Sequence, residues 1–133
     1  ALTSNDPRVR TIGVTMDQRP AMHESLKAGR PVEVHEVASL ADSLTGGIGL
    51  DNRWTFDLCR RRVDETVLVS EAEIAAGVRH LLMTERVVAE GGAAVGVAAV
   101  LTGKLGLEGR RTAIVVSGQN VDMTKLLRIA ADG

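Results

Sequence analysis

A single cysteine, Cys59, in 133 residues leaves no partner for an internal disulfide and no basis for a multi-cysteine metal site. That usage fits a reducing cytoplasm, where the protein is expected to reside. Charge of one sign is also missing. Sixteen Lys and Arg against seventeen Asp and Glu leave a net charge of −1, so there is no electrostatic footprint for nucleic acid or an anionic membrane surface. The one basic run, Arg60 to Arg62, is flanked by Asp57, Asp64 and Glu65, and reads as a solvated helix end rather than a phosphate track. Long hydrophobic runs are lacking too: the most apolar stretch, Val87 to Leu101, contains Glu90 and falls short of the roughly 20 residues a spanning helix needs. The opening stretch, Ala1 to Arg10, is polar, so no signal peptide is expected there. His23, His35 and His80 stand at no metal-ligand spacing and read as partly exposed structural residues. The glycines complete neither a dinucleotide-binding nor a P-loop pattern.

What is present is 44% hydrophobic content in a chain about the size of one ordinary domain, enough to bury a core. After a turn at "SNDP" (Ser4 to Pro7), Val9 to Thr15 reads as a short buried strand. "RPAMHESLKAG" reads as a short helix with Pro20 in its first turn and Gly29 as C-terminal cap. "RPVEVHEVASLADSL" alternates weakly into a glycine-rich loop, and Asp51 or Asn52 can cap a helix from about Trp54 to Arg62. A second strand is expected over Glu65 to Ser70, followed at once by a helix. Ser70 and Glu73 form an S-x-x-E capping box there, and Ile74, Val78, Leu81 and Leu82 give the apolar face. "GGAAVGVAAVLTG" is too uniformly small and apolar for a wet face and reads as a buried helix. "RRTAIVVS" is expected to be a third strand and "VDMTKLLRIAADG" the closing helix. Alternating strands and helices predict an α/β fold with a mainly parallel sheet flanked by helices. Three strands make a poor free-standing unit, so more strands are expected than this chain supplies. The start on Ala1 looks like the interior of a longer protein or a processed one.

Polar or glycine-rich breaks occur at element ends: Ser43 to Asn52, Ala89 to Gly92, and Ser117 to Asn120. If all three lie at one sheet edge they converge on a pocket. Each also has a plainer reading. "VVSGQN" is good strand-to-helix turn chemistry, and "TGGIG" is ordinary loop punctuation. Glu90 is either a carboxylate stabilised at a helix N-terminus or a buried acid with a raised pKa. Cys59 reads as a packing residue. The only lysines, Lys27, Lys104 and Lys125, lie on polar helix faces or near helix ends, so none looks like a buried amine of depressed pKa.

In order, "IGV", "PAMHESLKAGRPVEV", "SLADS" with "GGIGLDN", "VLVSEAEI", "VAEGGAAVGVAAVLTGKL" and "VVSGQNVDM" resemble the C-terminal half of the threonine and serine dehydratases. These are pyridoxal 5'-phosphate (PLP) enzymes of the tryptophan-synthase-β-like fold, fold type II. Within that group, "TMDQRPAMHESL" and "ADSLTGGIGLDNRWTF" look most like the hydroxyectoine-utilisation dehydratases. The resemblance implies that residues 1–133 are the C-terminal part of the large PLP-binding domain. The Schiff-base lysine, the phosphate loop and the small domain would all lie outside it.

By the same resemblance Ser117 hydrogen-bonds the pyridine nitrogen of PLP, with Gly118, Gln119 and Asn120 at the cofactor's edge. Ser43, Gly46 and Gly47 belong to the loop beside the ring and substrate, and Glu90, the candidate catalytic residue, matches the glutamate of an E-G-x-A segment. Two departures stand out: Ser43 replaces the glycine of A-D-G, and Gln119 replaces a second glycine, putting any need for positive φ there in doubt. Many relatives hold a divalent cation with acidic residues where this chain has Thr15 and Ala21, so no cation is expected. A hydroxyl facing the ring nitrogen, unlike a carboxylate, does not hold it protonated, which favours β-elimination over transamination. The implied activity is dehydration and deamination of a hydroxyamino acid such as threonine or serine, or of a hydroxyectoine-derived intermediate. Partners would be the amino-acid substrate and further copies of the chain in a homodimer or larger homo-oligomer, with no nucleic acid or membrane. The 133-residue chain alone would be inactive. The alternative is a non-catalytic α/β ligand-binding or regulatory module.

Overall fold

The computed structural model describes residues 8–132; the "SNDP" turn lies outside them. Two strands, β1 (Ile12–Met16) and β2 (Glu65–Val69), pair in parallel with Val14 opposite Val67. Between them come α1 (Ala21–Ala28), a 3-10 turn (Asp42–Leu44) and α2 (Trp54–Arg62). After β2 follow α3 (Glu71–Met83), α4 (Gly91–Leu101) and α5 (Met123–Ala131). The α/β class with a parallel sheet and flanking helices is therefore as expected.

Local chemistry explains most of these boundaries. Gly29 ends α1 in the left-handed region, at φ 71°, where a side chain would be strained. Pro20 stands at the N-cap of α1 rather than inside its first turn. Asn52 holds the start of α2, its Oδ1 accepting from Phe56 N–H at 3.1 Å and from Thr55 Oγ1 at 2.6 Å. The reciprocal capping box of α3 is formed: Ser70 N–H donates to Glu73 Oε2 at 2.7 Å, and Glu73 N–H donates to Ser70 Oγ at 3.3 Å.

The core lies between the sheet and the pair α3 and α4. Met16, Val69, Ile74, Val78, Ala94, Ala98 and Leu126 are fully buried within it. Close approach of α3 to α4 depends on Gly77, where a methyl group would sit 2.9 Å from Ala94 O. The uniform apolarity of α4 is used in this way, since one side meets α3 and another meets both strands. The Arg60 to Arg62 run is a helix end, with Arg60 paired to Asp57 at 3.2 Å and lying over the Phe56 ring. No helix of the described residues is long and apolar enough to cross a membrane.

Two expectations need correction. β1 begins at Ile12 rather than Val9 and runs to Met16. The third strand, "RRTAIVVS", does not form: residues 110–122 have no regular structure, and Ile114, Val115 and Val116 are 39%, 83% and 38% exposed. A strand exists only through hydrogen bonds to a neighbour, and no described segment runs beside 110–117 to supply that ladder. β-branched residues alone do not make a strand.

Candidate functional site

The three polar breaks meet at the N-terminus of α4, joined by close contacts at three glycines, of which Gly91 faces backbone and Gly92 and Gly118 face side-chain ends. A methyl group on Gly91 would sit 2.0 Å from Leu40 O, one on Gly92 2.2 Å from Ser43 Oγ, and one on Gly118 2.4 Å from the Glu90 carboxylate. Glu90 N–H also donates to Gly118 O at 3.0 Å. The 42–44 turn, the first turn of α4 and the Ser117–Asn120 turn are thus one continuous surface. Spacing in the sequence left this open; packing brings them together.

Each candidate residue has a defined setting on that surface. Ser117 and Asn120 are exposed, and Ser117 Oγ has no hydrogen-bond partner among the described residues. Gly118 is not in the left-handed region, nor is Gln119; among non-glycine residues only Arg19 and Arg86 have positive φ. The second glycine of the turn is therefore dispensable on backbone grounds. Gly118 instead lies directly under the Glu90 carboxylate, which a methyl group there would displace.

Glu90 occupies the N-cap position of α4, but its side chain makes no capping hydrogen bond. It is half-buried rather than enclosed, which corrects the buried-acid alternative. Its carboxylate packs over the Gly118 backbone instead. Ser43 is exposed in the 3-10 turn, where its own N–H donates to Asp42 Oδ1 at 2.8 Å.

Gly46 takes φ 81°, which explains glycine there, whereas Gly47 has no such requirement. The loop is fastened by Thr45 Oγ1, donating to Asp42 O at 2.8 Å and to Glu36 Oε1 at 3.2 Å. Carboxylates of Glu36 and Asp42 beside this loop oppose an anion held by its amides. A shallow depression on the same turn is lined by Glu36, Val37, Ala38, Ser39, Asp42 and Thr45.

Lys104 does not reach this surface. Lys104 lies past the far end of α4, an 11-residue helix about 16 Å long. Its Nζ is committed to Leu68 O at 2.9 Å and to Glu73 Oε2 at 2.7 Å. That hydrogen bond, followed by the one from Ser70 N–H, holds the Glu73 carboxyl below the ordinary glutamate value of 4.5. His23 hydrogen-bonds Thr66 and His80 pairs with Glu85, each within the scaffold. Among the described residues no three His, Cys, Asp or Glu side chains gather as a metal site. Two residues that anchor the surface, Ser39 and Glu71, carry no signature in the local pattern. Glu71 meets its partners 31 and 32 positions away, a separation no local pattern reveals.

The family described as "Pyridoxal-phosphate dependent enzyme" matches residues 1–118. A Sinorhizobium fredii protein provisionally named a threonine dehydratase is 56% identical over 117 residues, 88% of this chain and 35% of that protein. An L-threonine ammonia-lyase of Thermotoga maritima is 43% identical over all 133 residues, which make up 32% of its length. Among solved structures, the processed form of threonine deaminase isoform 2 from Solanum lycopersicum superposes with a TM-score of 0.82 at 26% identity. That match covers 98% of this chain and 38% of the other. The chain thus spans about a third of the length of the curated relatives it matches.

Proposed function

Because the chain belongs to the pyridoxal-phosphate dependent enzyme family, we propose that it is the C-terminal part of the large cofactor-binding domain of a hydroxyamino-acid dehydratase. The observation that carries this reading is the meeting of Ser43, Glu90 and the Ser117–Asn120 turn on one surface. The names of its relatives, a threonine dehydratase and an L-threonine ammonia-lyase, support the substrate class.

The residues present fit the ring side of the cofactor. Ser117 offers an exposed hydroxyl, without a partner among the described residues, able to donate to or accept from a ring nitrogen. When bound, PLP supplies the electron sink that lets bonds at the amino acid's α-carbon break. Being neutral, Ser117 moderates that sink, which favours loss of the β-hydroxyl over transamination. Gly118 and Asn120 border the ring, and Ser43, Gly46 and Gly47 border the substrate. Glu90, with its carboxylate free of capping bonds, is available to accept or hold a proton at its carboxyl oxygens. Lys104 is unsuited to covalent attachment, being tied up at the opposite end of α4.

The finer reading, a hydroxyectoine-derived intermediate as substrate, is supported by the character of "TMDQRPAMHESL" and "ADSLTGGIGLDNRWTF". The test is titration of the intact protein with PLP, followed by measurement of oxo acid and ammonia from L-threonine, L-serine and hydroxyectoine-derived amino acids. PLP uptake with oxo-acid release from at least one supports the proposal. Uptake without turnover of any hydroxyamino acid would favour the non-catalytic module.

A further inference from the structure

Glu71 opens α3 directly after β2, outside every segment of the proposed site. Both of its carboxylate oxygens are nevertheless used on the chain entering the Ser43 turn. Oε2 accepts from Leu40 N–H at 2.8 Å and Oε1 accepts from Ser39 Oγ at 2.5 Å. Ser39 Oγ in turn accepts from Ala41 N–H at 3.0 Å, and Ala41 O accepts from Leu44 N–H at 2.9 Å, closing the 3-10 turn. Beyond this relay, Leu40 O abuts Gly91 and Ser43 Oγ abuts Gly92. Glu71 is not needed to cap α3, because Ser70 and Glu73 already do so.

We infer that Glu71 is a positioning residue: it clamps residues 39–41 so that the Asp42–Leu44 turn is fixed on the N-terminus of α4, which sets where Ser43 stands relative to Glu90 and Gly118. The inference rests on the reading of that surface as the cofactor and substrate site. A carboxylate suits the task, since it accepts from an N–H and an O–H at once, and bonds to a charged acceptor are stronger than neutral ones.

The test uses the intact protein with Glu71→Ala, Glu71→Gln and Ser39→Ala. The readouts are hydrogen–deuterium exchange without PLP, PLP half-saturation by absorbance, and kcat and KM. In Glu71→Ala, exchange of the 40–45 amides rises roughly tenfold to a hundredfold, as expected when two bonds to a charged acceptor are lost. The Ile74 to Leu81 amides stay protected, and both half-saturation and KM rise. Glu71→Gln recovers most of this, since its amide oxygen still accepts from Leu40 and its NH2 can donate to Ser39. Ser39→Ala leaves α3 untouched and gives a smaller rise confined to the same amides.

Wild-type exchange in Glu71→Ala, a rise spread equally over α3, or no rescue by Gln would each overturn the clamp. A rise at 40–45 with unchanged half-saturation and KM would overturn its role in the site. Should the wild-type protein take up no PLP at all, the functional reading fails separately, and the exchange pattern still decides the clamp.

Discussion

Replacing Gly91 by alanine tests how tightly the 39–41 segment approaches α4. The new methyl carbon would stand 2.0 Å from Leu40 O, 2.4 Å from its carbonyl carbon and 2.8 Å from Ala41 N. A carbon–oxygen contact normally lies near 3.3–3.6 Å, so roughly 1.5 Å must be found. All three obstructing atoms are backbone, and no rotamer change relieves them. The segment itself is held by Glu71 through Leu40 N–H, and Ala41 is fully buried.

Overpacking of this kind costs about 1–3 kcal/mol, and the absence of any yielding side chain places Gly91→Ala near the upper end. Alanine's better helix propensity offsets up to ~1 kcal/mol. The net expectation is a destabilisation of about 2 kcal/mol, or roughly a thirtyfold rise in opening. Hydrogen–deuterium exchange of the α4 and 39–45 amides in the intact protein measures it. Exchange equal to or slower than wild type would refute the packing argument.

Other substitutions probe chemistry more than packing. Ser117→Ala should leave the fold intact and weaken PLP binding by about 0.5–1.5 kcal/mol, read by titration. Ser117→Asp should lower the ratio of elimination to transamination or racemisation with PLP still bound, because a carboxylate retains a proton on the ring nitrogen; an unchanged product ratio would sink the role given to this turn. Since Glu73 titrates below its ordinary 4.5 when folded, its contribution is present above that value and lost as pH falls through the lowered one. Lys104→Met should flatten that acid limb of the stability curve, by no more than about 1 kcal/mol for so exposed a pair. Chelators should leave activity of the intact protein unchanged, as Thr15 and Ala21 offer no carboxylate; activity lost with EDTA and restored by magnesium would contradict this.

What could be read in advance was what neighbours in sequence decide. Ser70 and Glu73 announce the start of α3 because both halves of the box lie within four residues, and the strand expected over Glu65 to Ser70, which hands over at once to that helix, forms as β2 at Glu65–Val69. "RRTAIVVS" misled for the opposite reason: a strand needs a ladder, and Val115 has none. At the site, Ser43, Glu90 and Ser117 were visible as polar breaks, but their meeting was not. Gly118 could be suspected only of conformational need, whereas what lies against it is a carboxylate 28 positions earlier. Glu71 was invisible because its acceptors and donors are brought together by tertiary packing alone.

The bond from Glu90 N–H to Gly118 O joins main chain to main chain, and no substitution other than proline at 90 removes either group. Together with the backbone contact of Leu40 at Gly91 it fixes part of the floor of this surface without calling on any side chain. Gln119, exposed and free of left-handed strain, can exchange its side chain for others that keep the turn's backbone without disturbing that floor. Libraries randomised at 119, with Gly91 held constant, would therefore vary the chemistry displayed beside this surface while leaving its backbone in place.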